Sequence, residues 1–220
     1  MNQPRTASRP PIDADAPARV ETTTFAMGCF WCPDAQFGIL PGVVRTRVGY
    51  AGGTTPNPTY RNIGDHTECV QIDTDPAVLP YDQVLDHIWT GHNPCLSTGI
   101  RQYQSAIFYE TDAQRKAIEA SRDRIEEQLG KPVKTQILPL TGFTLAEDHH
   151  QKYELRCTGG LIEEFRAIYP DPKDLCKSTA AARVNGYIAG RGSKAQLDAE
   201  EHRLGLSDEG LKRLRIYVTK

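Results

Sequence analysis

Residues 43–50 set Val44, Thr46 and Val48 against Arg45 and Arg47, the period-two pattern of a half-buried strand. The same alternation marks 67–73, and β-prone runs occupy 23–27, 104–109 and 133–138. Helical spacing takes over elsewhere. Residues 80–91 put Val84, Leu85, Ile88 and Trp89 on one face and stop at Gly91. Thr111 and Gln114 form a capping box for a helix reaching Leu129, with Gly130 as its stop. Residues 29–37 read as a helix with Pro33 near its start, where a missing N–H is tolerated. Residues 145–156 read as one further helix.

The order β-α-β-β-α-β-α-β-α predicts an α/β (α+β) fold, a two-layer sandwich of one mixed sheet and its helices. That domain spans 23–157. Residues 1–22 are rich in Pro, Ala, Arg and Asp without periodicity and read as a disordered lead-in. Residues 158–220 change character: Pro and Gly punctuate short helical pieces, and Ser193 and Ser207 cap the last two. This stretch reads as a mostly helical C-terminal extension.

Composition narrows the class. Of 220 residues, 39% are hydrophobic and 25% charged, with a net charge of −2. Such a chain buries a real core, and it lacks the basic face of a nucleic-acid or membrane-surface binder. No apolar run approaches the roughly 18 residues of a membrane span, and residues 1–19 hold no secretory h-region. The expectation is a cytoplasmic monomer. Six cysteines are too few for a disulfide scaffold. In a reducing compartment they are catalytic, redox-active, metal-binding or simply buried.

Gly28-Cys29-Phe30-Trp31-Cys32 stands at a strand-to-helix junction. A thiol at a helix start meets free N–H groups and the positive dipole end, which predicts a depressed pKa and a nucleophilic thiolate. The C-x-x-C pair sets two sulfurs one turn apart, as a redox site needs. A zinc reading needs two more ligands, for which His149, His150 and Cys157 are possible. No second C-x-x-C exists, and adjacent histidines point to different faces, so no metal is expected.

The stretch T-T-F-A-M-G-C-F-W resembles the signature of the A-type peptide methionine sulfoxide reductases. Five further blocks resemble that family in order: 48–53, 56–60, 66–68, 101–107 and 146–153. The resemblance covers 23–156 and implies a ferredoxin-like core. It implies thiol-dependent reduction of methionine S-sulfoxide, peptide-bound or free, for repair of oxidised proteins. No bound cofactor is implied; the reductant is an external thiol, thioredoxin or similar. The partners implied are oxidised proteins or free methionine sulfoxide and that reductant.

On matching positions, Cys29 would attack the sulfoxide sulfur and become a sulfenic acid as methionine leaves. Phe30 and Trp31 would line an apolar pocket for the S-methyl group. Glu68 would protonate the sulfoxide oxygen, and Tyr60 and Tyr103 would donate hydrogen bonds to it. A general acid working near neutral pH must keep its proton, so Glu68 needs a buried, desolvated seat. Its strand direction is shared with Val70 and Ile72, which supplies one; the opposite face carries Thr67, Cys69 and Gln71.

The chain departs from the family in three places. The loop 94–100 is short and holds no Asp, so a polar partner of the site is missing or replaced. Position 32 is Cys where the commoner members have Gly. The Gly-rich tail with resolving cysteines gives way to the extension, whose 178–187 stretch resembles that of a divergent subgroup. Cys32 is therefore the first candidate to resolve the sulfenic acid, and Cys157, beside Gly159-Gly160, is its competitor. Cys176 is a weaker candidate, Cys95 lies in the altered loop, and Cys69 should point away. Two other functions compete: a C-x-x-C dithiol-disulfide oxidoreductase, and an inactive module that binds oxidised methionine.

Overall fold

The computed structural model describes residues 8–218. A helical turn, α1 (Pro11–Ala14), precedes β1 (Glu21–Met27), α2 (Trp31–Gly38), β2 (Val43–Ala51), β3 (Thr67–Thr74), α3 (Tyr81–Thr90) and β4 (Ser105–Tyr109). Then come α4 (Asp112–Leu129), β5 (Gln136–Pro139), β6 (Phe143–Leu145) and α5 (Tyr153–Cys157). The extension holds α6 (Leu161–Ile168), α7 (Pro172–Leu175), α8 (Thr179–Ile188), α9 (Lys194–Glu200) and α10 (Asp208–Val218).

The six strands form one sheet in the order β5-β4-β1-β3-β2-β6. All neighbours are antiparallel except β4 and β5, so the sheet is mixed. Its inner four strands, with α2 and α3 as crossovers, run β-α-β-β-α-β in the spatial order β4-β1-β3-β2, the ferredoxin-like arrangement. One face carries the larger core, where Phe25, Val70, Ile72 and Ile107 meet Phe37, Val84, Leu85, Ile88, Trp89 and Ile118. The other face is narrower and built from Ala26, Ala51, Cys69, Ala106 and Phe108. At about 25 cal/mol per Å² of apolar area removed from water, the first face dominates stability.

Two expectations fail. The helix predicted for 145–156 is broken into β6, a 3-10 turn at Asp148–His150 and α5. Lys152 adopts φ +53, a left-handed conformation that an α-helix cannot absorb. Long-range bonds hold the break. Gln151 is fully buried and its amide spans Val48 N at 3.0 Å and Val48 O at 2.8 Å, replacing a strand neighbour. Residues 8–22 of the expected lead-in are also ordered. Asp13 is buried and accepts from Tyr169 Oη at 2.5 Å, Ser178 Oγ at 2.6 Å and Ala180 N at 2.9 Å. Residues 1–7 lie outside the described residues.

The extension folds around its own apolar cluster, with Leu161, Phe165, Leu175, Val184, Tyr187, Leu204 and Leu214 at its centre. It attaches to the sheet domain where α8 crosses α2. No helix among the described residues is long and apolar enough to cross a membrane.

Candidate active site

The site assembles where β1 hands over to α2. Gly28 has φ +85, which a side chain would strain, and turns the chain out of the sheet so that Cys29 and Phe30 sit above the end of β3. β3 pairs with β1 through Phe25↔Val70 and with β2 through Tyr50↔Glu68. Glu68 is therefore two residues past the last β1 pair, under the turn. It is fully buried on the face of Val70 and Ile72, and Cys69 faces the opposite cluster.

Among the described residues, neutral donors alone hold the Glu68 carboxyl: Phe30 N at 3.1 Å and Gln102 Nε2 at 2.7 Å. Gln102 is fixed by Thr67 Oγ1, which donates to its carbonyl at 2.8 Å. Arg101 ties the same segment to the 52–65 loop by donating to Asp65 O at 2.8 Å and Gly52 O at 2.9 Å. Burial raises the Glu68 pKa, and the two hydrogen bonds only partly oppose it.

The expected depression of the Cys29 pKa is not found. Cys29 is half-buried, and desolvation pushes its thiol upward; the Trp31 N–H lowers it, but the neighbouring Glu68 and Cys32 push it up again. The dipole of an eight-residue helix is outweighed by burial and a carboxyl brought from another strand. Thiol and carboxyl are thus coupled: a negative charge on one disfavours charge on the other.

An aromatic group surrounds them. Phe30 is buried, with ring centroids 6.3 Å from Trp31, 6.0 Å from Tyr50, 6.5 Å from Tyr60 and 5.3 Å from His150. Trp31 is part-exposed and lies flat on Tyr153, 3.8 Å and 10° apart. Tyr103 is hydrogen-bonded to Tyr60, which pushes its hydroxyl up to about 12 and keeps it a donor at physiological pH. The structure thus brings together Cys29, Phe30, Trp31, Tyr60, Glu68 and Tyr103.

The two further cysteines are exposed. Cys32 lies at the second position of α2 and is electrostatically coupled to Cys29. Cys157 ends α5 and is hydrogen-bonded to the Tyr153 hydroxyl, itself close enough to feel Cys29. Cys176 is buried in the extension, where its Sγ lies 3.5 Å from Pro172 O. Among the described residues no group of three or more His, Cys, Asp or Glu is placed to hold a metal ion.

Sequence reading missed three supports. Gln102 holds the acid. Glu147 accepts from Tyr50 Oη at 2.7 Å and Tyr60 N at 3.0 Å, so it pins Tyr60. Burial pushes Glu147 up, but those two hydrogen bonds, with its own backbone N–H and the neighbouring His150, outweigh it and its pKa lies below the ordinary value. His150, buried, lies tilted 4.5 Å from Tyr60 and stacks 5.8 Å from Trp31. All three lie inside the quoted blocks, yet only a side chain's distant partner reveals its task.

A model of the peptide methionine sulfoxide reductase family matches residues 21–167. A peptide methionine sulfoxide reductase of Drosophila melanogaster is 41% identical over 188 residues, covering 84% of this chain and 75% of the fly protein. MsrA of Salmonella arizonae is 43% identical over 155 residues, covering 63% of this chain and 72% of its own length. Among solved structures, reduced Mxr1 from Saccharomyces cerevisiae superposes with a TM-score of 0.59 at 26% identity, over 66% of this chain and 89% of the yeast chain. Methionine sulfoxide reductase A of Corynebacterium diphtheriae gives 0.55 at 32% identity, over 62% and 74%.

Proposed function

Because this chain belongs to the peptide methionine sulfoxide reductase family, a family of thiol-dependent enzymes, we propose that Cys29 is its sulfur nucleophile and Glu68 its proton donor. The carrying observation is a buried carboxyl, bonded only by Phe30 N and Gln102 Nε2, beside a half-buried thiol. Cys29 and Glu68 share one negative charge. The thiol proton passes through Glu68 to the sulfoxide oxygen as Cys29 Sγ attacks the sulfoxide sulfur. That attack joins Sγ to the substrate sulfur, which now bears a hydroxyl; the hydroxyl then passes to Sγ as the Sγ–S and S–O bonds both break, so methionine leaves and Cys29 is a sulfenic acid. Tyr60 and Tyr103 donate hydrogen bonds to the oxygen as charge develops there. Phe30 and Trp31 receive the S-methyl group.

A second thiol then attacks the sulfenic sulfur, forming a disulfide and releasing water. Cys32 is the resolving residue on this reading, since it stands at the second position of α2, three residues after Cys29 and electrostatically coupled to it, so a disulfide between them needs little chain movement. Cys157 is the competitor. An external dithiol such as thioredoxin returns both sulfurs to the reduced state. A plain dithiol-disulfide oxidoreductase would leave Glu68 and the two tyrosines without work, and an inactive module would have no use for a coupled thiol and acid.

The test is incubation with dithiothreitol and racemic methionine sulfoxide. Consumption of the S epimer alone is expected, and Cys29→Ser is expected to stop it with the other five cysteines intact. Methionine released in a single turnover by Cys29→Ser would remove the assignment.

A further inference from the structure

Helix α8 of the extension meets both helices of the site at one residue. Asn185 is fully buried. Its Oδ1 accepts from Leu155 N of α5 at 3.1 Å, and its Nδ2 reaches 3.5 Å toward Asp34 Oδ2 of α2. The backbones leave it no freedom to withdraw. A Cβ on Gly186 would stand 2.7 Å from Ala35 O, and one on Gly38 would stand 2.6 Å from Ala182 O, so α8 and α2 are in direct contact.

Asp34 is itself fixed. Its Oδ1 accepts from Lys152 Nζ at 3.0 Å and from Thr46 Oγ1, and its Oδ2 accepts from Lys152 N at 3.2 Å.

Helix α5 needs this support. It has five residues, too few to persist alone, and no side chain of its own caps its start. The Leu155 N–H is one of the orphan donors of its first turn, and Asn185 satisfies it from outside the helix. What α5 carries matters for the site. Tyr153 lies flat on Trp31, whose Nε1 has no hydrogen-bond partner among the described residues, so the stack is what orients the indole.

Resting on the reading that Trp31 lines the methyl pocket, we propose that Asn185 is a positioning residue: it caps α5 against α2, holds Tyr153 on Trp31, and so shapes the substrate pocket. The extension is then part of the substrate site without touching substrate.

Single-turnover methionine release separates affinity from rate. Asn185→Ala removes hydrogen bonds worth a few-fold to about tenfold each, so the half-saturating sulfoxide concentration should rise by about tenfold. The limiting rate should stay within about threefold, because Cys29 and Glu68 are untouched. Iodide quenching of fluorescence, measured without substrate, reads the same event. Trp89 is buried and donates to Ser121 Oγ at 2.8 Å, so only Trp31 is reachable, and its quenching should increase.

Tyr153→Leu breaks the stack without entering the buried network and should give the same two changes. The double variant should add nothing to either. Asn185→Asp keeps the acceptor but sets a second carboxylate beside Asp34 and its partner Lys152; its affinity should recover as the pH falls and the introduced carboxyl takes up a proton. Additive effects of Asn185→Ala and Tyr153→Leu, or unchanged quenching in both, would overturn the proposal. Raised quenching with unchanged half-saturation would refute the pocket role of Trp31 as well. Loss of all activity in every variant and in the parent enzyme would instead refute the reductase reading.

Discussion

Glu68 and Asp34 are both at 0% exposure, the first bonded to Phe30 N where the chain enters α2 and the second standing within α2 itself. Their partners differ. Asp34 faces the ammonium of Lys152 at 3.0 Å, also fully buried, with Thr46 and Asn185 completing its shell. Glu68 faces only neutral N–H donors. A buried carboxyl paired with a cation ties together the elements that carry the two groups. A buried carboxyl without one keeps its proton and can give it away. Equal burial therefore serves structure at one point and chemistry at the other, and the presence of an ammonium decides which.

The largest effect should come from removing the cation-free acid's proton. General acid catalysis is typically worth about 10²–10⁴-fold, so Glu68→Gln should slow sulfenic acid formation by roughly that factor. Quenched-flow measurement of released methionine reads it. A loss under about threefold would make Glu68 a structural residue like Asp34.

Next comes the opposite experiment on Asp34. Asp34→Ala strands the Lys152 ammonium in the interior and should cost about 3–5 kcal/mol in urea unfolding. The double variant Asp34→Leu with Lys152→Met removes both charges and should recover much of that. Equal losses in the single and double variants would show that the ion pair is not what Asp34 contributes.

Recycling gives a smaller effect. After one equivalent of sulfoxide without reductant, mass mapping should find a Cys29–Cys32 disulfide. Cys32→Ala should leave Cys29 oxidised with the other thiols free. Loss of two thiols per turnover in that variant would move the resolving role to Cys157.

The smallest is a stability change of opposite sign to the Asp34 result. The Glu68 pKa is raised, so the folded state binds a proton that the unfolded chain has lost. Stability falls as pH rises from the ordinary glutamate value through the raised one, and the cost is full above it. Glu68→Gln should therefore gain in Tm over the parent at neutral pH, and the gain should shrink on acidification. A uniform loss at all pH values would contradict the cation-free description of the site.

Much of the sheet domain is legible in the sequence because its signals are local. Alternation in 43–50 and 67–73, the helix from Val84 to Trp89 and the capping box at Thr111 all appear as read. The failures share one cause. Gln151 and Lys152 look like the polar face of a helix, but their partners, Val48 and Asp34, come from more than 100 residues away in sequence. The same applies to Asp13, whose partners lie in the extension, and to Cys29, where burial under the folded chain, and after it a carboxyl from a distant strand, override the local helix rule. Local pattern shows where elements begin; it cannot show which charged side chain has found a buried counterpart.

The most direct test of the cation-free acid is the pH dependence of single-turnover methionine release in the parent enzyme and in Glu68→Gln. The parent should rise with pH as the coupled Cys29–Glu68 pair gives up its first proton and then fall as it gives up the second, with the alkaline limb above the ordinary glutamate range. Glu68→Gln should be slower by about 10²–10⁴-fold and lack that limb. A variant within about threefold of the parent rate, with the alkaline fall intact, would show that the proton comes from elsewhere.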